Sequence, residues 1–105
     1  MHSCLRRSIL VLAAAGMATA SGSPVAADGR GVYLRACAAC HAAGTAGAPR
    51  LGDTRAWASR REAGAGVLDT SVLRGKGAMP PKGGNASLTD EDVRAALAYM
   101  LSRVE

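Results

Sequence analysis

Phenylalanine is missing from this sequence of 105 residues, and its aromatic complement is one Trp and two Tyr. A small chain so poor in rings, and rich in Ala and Gly, cannot fill a core from its own side chains without a staple. The same shortage removes the usual nucleic-acid surface, in which basic residues alternate with aromatics. Histidine occurs only at positions 2 and 41, and cysteine only at 4, 37 and 40. That excludes a disulfide-dense scaffold and leaves too few ligands for a four-coordinate zinc site. Continuous apolar runs stop short of the roughly 20 residues a membrane helix needs. No nucleophile triad, paired catalytic carboxylates or phosphate loop stands out, so the chain does not read as an enzyme in its own right.

The N-terminus reads as an export signal. Arg6 and Arg7 form a basic start, residues 8–20 are short and apolar, and small residues follow at Ala18-Thr19-Ala20 and Val25-Ala26-Ala27. Residues 1–27 are therefore expected to be a signal peptide, cleaved after Ala20 or Ala27, with residues 28–105 as one domain. Export implies a periplasmic location and no stable membrane insertion after cleavage. An uncleaved segment would instead act as an anchor. Losing Arg6 and Arg7 lowers the net charge from +5 to +3, with 11 basic residues against 8 acidic ones. That modest balance gives no reason to expect a nucleic-acid partner.

What remains is organised around Cys37-Ala38-Ala39-Cys40-His41. Two cysteines two residues apart, with histidine next, is the attachment pattern of haem c. Each thiol adds across one porphyrin vinyl group, and the histidine comes under the iron as a proximal ligand. A Cys-x-x-Cys pair can also be a redox disulfide, but no βαβ pattern surrounds it. It can also be half a zinc site, without the other half. A covalent haem supplies the apolar bulk that the composition lacks.

Along the chain, Asp28 is expected to cap a helix over residues 28–39. The Gly- and Pro-rich stretch 42–52 reads as a loop. Its Pro49 carbonyl is the candidate acceptor for the second ring nitrogen of His41, and Leu51 is expected to pack on the haem. Asp53 or Thr54 caps a short helix carrying Trp57. That indole can be plain core, or can bury its rings beside the haem and bond a propionate that Arg60 or Arg61 neutralises. Val67, Leu68, Val72 and Leu73 mark a helix over residues 67–74, ended by Gly75. A low-spin haem wants a sixth ligand, and the thioethers of Met79 and Met100 are what is left for it. Met100 falls in an apolar stripe with Val93, Ala96, Leu97, Leu101 and Val104, on a last helix capped by Thr89 with Asp92. Met79 stands in irregular chain, held extended by Pro80 and Pro81, and is the better candidate. The last helix is expected to cross the first, with Tyr99 meeting Gly29 and Tyr33.

These residues resemble the small bacterial class I c-type cytochromes, most closely the cytochrome c-five group. Tyr33, the Cys37–His41 motif with Ala42-Ala43-Gly44, Gly47-Ala48-Pro49-Arg50-Leu51-Gly52-Asp53, Ala56-Trp57, Ala78-Met79-Pro80-Pro81-Lys82-Gly83 and Leu97-Ala98-Tyr99-Met100 carry the likeness. It implies an all-α cytochrome c fold, with crossed terminal helices and short helices between them around one covalent haem c. It implies thioether links at Cys37 and Cys40, His41 and Met79 as axial ligands, and a monomeric periplasmic carrier of one electron. Redox proteins are the implied partners, as donor and as acceptor, among them a membrane oxidoreductase, oxidase or reductase. Members of that group often carry a cysteine pair after the methionine loop, where this chain has Asn85 and Leu88, so that disulfide is out of reach here. Arg74, Lys76 and Lys82 flank the loop and can steer acidic partners. Two other functions fit the same residues. One is a haem c subunit of a larger periplasmic oxidoreductase, for example in sulfur-compound oxidation. The other is an enzyme or gas sensor with an open iron position.

Overall fold

The computed structural model describes Val11, Ala13, Ala15, Gly16 and residues 27–104. The expected signal segment therefore lies almost wholly outside the described residues. Five α-helices follow in order: α1 Gly29–Ala36, α2 Ala38–His41, α3 Thr54–Glu62, α4 Ala65–Arg74 and α5 Asp90–Ser102. Single 3₁₀ turns lie at Thr45–Gly47 and Pro81–Gly84. Among the described residues the only β pairing is an isolated bridge between Lys76 and Met79. No described helix is long and apolar enough to cross a membrane.

The caps lie where local chemistry puts them. The Asp28 carboxylate accepts from Gly31 N and the Asp53 carboxylate from Ala56 N. Thr89 and Asp92 exchange side-chain and backbone bonds in a full capping box, with Asp90, Glu91 and Asp92 at the positive end of the helix dipole. The expected first helix is broken in two. Cys37 turns to φ −118°, and its own N–H still bonds Tyr33 O, but His41 N starts a new turn on Cys37 O. This kink ends α1 at Ala36 and sends α2 along the wall of a cavity. Helix α4 starts two residues earlier than its apolar spacing suggests, at Ala65, because Gly64 at φ 104° supplies the sharp entry.

Helices α1 and α5 cross at close range. A Cβ on Gly29 would collide with the Ala95 carbonyl and touch Tyr99 Cβ, so only glycine permits this approach. The rings of Tyr33 and Tyr99 pack beside the crossing at 5.4 Å between centroids, tilted by 47°. Val32 and Tyr33 from α1 meet Val93, Ala96, Leu97 and Met100 from α5 in the buried core. Leu88, immediately before the Thr89 cap, is buried with them. An Arg94–Asp69 ion pair, with Nε at 3.1 Å from Oδ1, ties α5 to α4.

Candidate haem site

One cavity of about 370 Å³ runs through the middle of the fold, within the size range of cofactor pockets. Val32 and Ala36 of α1, Leu68 and Val72 of α4, and Leu97 and Met100 of α5 give it an apolar wall. Cys37, Cys40, His41 and Met79 all line it. Two thiols, an imidazole and a thioether on one apolar cavity are the donor set that a haem c requires.

His41 is buried, and its Nδ1 lies 2.7 Å from the carbonyl oxygen of Pro49. A carbonyl can only accept, so Nδ1 carries a proton, and in the neutral ring Nε2 is then the nitrogen with the lone pair. A network fixes the acceptor. Leu51 N donates to His41 O at 2.9 Å, Arg50 Nε to Ala43 O at 3.0 Å, and Trp57 Nε1 to Arg50 O at 2.9 Å. The indole ring stands 6.1 Å from the imidazole, centroid to centroid. Trp57 thus lines the cavity, but its single N–H is already given to the Arg50 carbonyl and is not free for a propionate. Leu51 packs against the buried core beside the cavity. Arg60 does line the cavity, with Nη1 on the Ala56 carbonyl and its other donors uncommitted among the described bonds.

On the same cavity, Met79 is half-buried. Its backbone exchanges two bonds with Lys76, each of 3.0 Å, which closes a tight loop over Gly77 and Ala78. Pro80 follows in extended conformation at φ −72°, ψ 158°. Met100 is buried on α5, as its place in the apolar stripe predicts, although it also reaches the cavity. Lys82 departs from expectation. Its ammonium donates to Leu88 O at 2.8 Å and pairs with Asp90 at 3.1 Å, so it is not a free steering charge. In the segment where the cysteine pair is missing, the Asn85 side chain accepts from Ser87 N, and Leu88 N bonds Asn85 O. The role of Arg50 escaped sequence reading because a basic residue in a Gly-rich loop carries no signal beyond solvation.

Burial pushes the Cys37 thiol above its ordinary value. Redox-active Cys-x-x-Cys pairs use a lowered one, the opposite direction. Among the described residues, no three His, Cys, Asp or Glu side chains converge as a zinc site would need.

A family model described as cytochrome c oxidase, cbb3-type, subunit III matches residues 24–100. The chain is also 46% identical over 82 residues to cytochrome c-555 of Chlorobaculum tepidum, covering 74% of this chain and 76% of that one. The chain belongs to the monohaem class I c-type cytochromes. Cytochrome c5 of Ectopseudomonas mendocina is 39% identical over 85 residues, 79% of this cytochrome and 95% of its own length. Among solved structures, the fold is similar to that of a chain in a crystal structure of an electron-transfer complex of nitrite reductase with cytochrome c. There the TM-score is 0.70 at 49% identity, over 74% of this cytochrome and 95% of that chain. A mono-haem ferrocytochrome c from Shewanella putrefaciens gives a TM-score of 0.63 at 41% identity, over 74% and 95%. The cytochrome c fold and one covalent haem c as cofactor follow from this membership, and the chain is a small electron-carrying cytochrome.

Proposed function

We propose that this cytochrome is an exported, periplasmic one-electron carrier, with haem joined to Cys37 and Cys40 and ligated axially by His41 and Met79. The observation that carries the reading is the 2.7 Å bond from His41 Nδ1 to Pro49 O. It orients the imidazole, with Nε2 as its remaining ring nitrogen, on a cavity whose lining includes Met79. When bound, haem supplies a one-electron couple, its iron passing between ferric and ferrous. His41 is held in one tautomer and one orientation by the Pro49 carbonyl, which strengthens it as a donor. Met79 contributes a neutral, soft thioether that favours the ferrous state and so raises the potential. The apolar wall excludes water from both ligands. Arg60, which lines the cavity together with Lys76 and Lys82, is the guanidinium there suited to a propionate, through donors beyond the one on Ala56. Trp57 acts one step back, by fixing the loop that fixes His41.

Redox proteins are the partners this reading requires, and the nitrite reductase complex of a similar chain supports that class. Arg74 and Lys76 remain as steering charges at the methionine loop, and Lys82 is withdrawn from that role. Val67 lines the cavity and is 49% exposed, which favours a second reading as a haem subunit seated against a larger oxidoreductase. Purification of the exported protein separates the two, since a carrier elutes alone and a subunit brings its partner. For the first reading, mass spectrometry of the purified protein should find one haem added to the chain. Its redox titration should follow a single one-electron curve. Rapid carbon monoxide binding by the reduced protein would instead mean an open iron position and a sensor or enzyme.

A further inference from the structure

We infer that Lys82 is a positioning residue for Met79, strapping the methionine loop to the start of α5 and so setting how firmly the thioether is held. This rests on the reading of Met79 as axial ligand. Lys82 stands at φ 55°, in the left-handed region that a side chain enters only at a cost. The two residues after it are Gly83 and Gly84, which occupy positive φ freely, yet position 82 is a lysine. Its ammonium explains what holds the strained residue there. Nζ donates to Leu88 O at 2.8 Å and lies 3.1 Å from Asp90 Oδ1, with the side chain 24% exposed.

The two ends of this strap differ in firmness. Leu88 is buried beside the cap of α5, which itself packs across α1. Met79 lies three residues before Lys82, and its own backbone is paired only with Lys76. Gly83 rests on α1 so closely that a Cβ there would lie 2.5 Å from Ala36 O. The loop is thus seated on α1 by shape, whereas Lys82 is the side chain that bonds it to α5. The bond to the Leu88 carbonyl is charge-assisted and shielded, and so is the stronger contribution. The Asp90 carboxylate is 53% exposed and screened by water and salt, and so is the weaker.

The test uses the exported protein with its haem in place. Lys82→Met keeps the apolar stem and removes the ammonium, Lys82→Arg keeps a charged donor, and Asp69→Asn breaks the remote pair with Arg94 as a control. Three quantities are read: the temperature at which the ferric sulfur–iron absorption disappears, the rate of carbon monoxide binding to the ferrous form, and the helix melt. Lys82→Met should lose the absorption well below the temperature at which its helices melt. It should also take up carbon monoxide about tenfold faster, the effect of losing one charge-assisted hydrogen bond. Lys82→Arg should recover most of both, and Asp69→Asn should keep the wild-type separation between absorption loss and melting. If Lys82→Met moves absorption and melt together, or moves neither, the lysine is not a positioning residue. Should that variant fail to mature, Lys82→Gly relieves the backbone strain and carries the same expectations. A wild-type protein without the absorption would overturn Met79 ligation itself, and with it the strap.

Discussion

The two stretches proposed to supply the iron's ligands are held by different means. On the histidine side, side chains and carbonyls interlock: Pro49 O on the imidazole, Arg50 on Ala43, Trp57 on Arg50 and the Asp53 cap behind them. On the methionine side, the Met79 thioether has no bonding partner among the described residues, and position comes from backbone pairing, proline geometry and close glycine contacts. The difference follows from the ligands. An imidazole has a second nitrogen that can be gripped from behind. A thioether has no hydrogen to donate and accepts only weakly, so it must be aimed by the chain that carries it. One side is fixed by a network, the other by a mount.

Damage to the two sides should therefore be read in different observables. Trp57→Ala should be the most costly, about 3–5 kcal/mol of unfolding free energy, since it empties buried space and leaves the Arg50 carbonyl unpaired. Denaturant unfolding of the haem-loaded protein checks it, and Trp57→Phe should lose less, roughly 1–3 kcal/mol, by removing the donor alone. Both should leave the sulfur–iron absorption of the folded protein in place. Gly83→Ala should show the reverse balance. It sets a Cβ against Ala36 O at φ 64°, at a cost of about 1–3 kcal/mol, and should weaken the absorption before the helices melt.

The smallest effect belongs to the helix crossing, which both sides share. Burial, and then the neighbouring Tyr99, raise the Tyr33 phenol above its ordinary value near 10. The unfolded chain therefore gives up this proton first. The stability owed to Tyr33 is complete below pH 10 and is lost as pH climbs from there through the folded value. Denaturant midpoints measured across the alkaline range should fall for the wild type and flatten in Tyr33→Phe.

The histidine side was largely legible in the sequence. The Pro49 acceptor, the Asp53 cap and the Gly29–Tyr99 crossing are all local or periodic signals, and each is met in the fold, while Cys37, Cys40 and His41 of the haem motif line the cavity. Trp57 was harder. An indole predicts that its N–H will find a partner, but a chain alone does not say whether that partner is a propionate or a backbone carbonyl seven residues back. Leu51 packs against the buried cluster, several of whose members line the cavity, so its place beside the haem is an expectation that adjacency alone supplies. The kink at Cys37 carries no glycine or proline, so helical periodicity ran through it. On the methionine side, Lys82 reads from sequence as a steering charge because its partners, Leu88 O and Asp90, come together only when the loop folds back on α5.

The central claim, that Met79 and not Met100 completes the iron's coordination, is tested most directly by the ferric absorption spectrum of three exported proteins: wild type, Met79→Ala and Met100→Ala. The sulfur–iron charge-transfer absorption should be present in the wild type, gone in Met79→Ala with a lowered potential, and kept in Met100→Ala, which loses only stability. Absorption that survives in Met79→Ala, or vanishes in a folded Met100→Ala, would contradict the account.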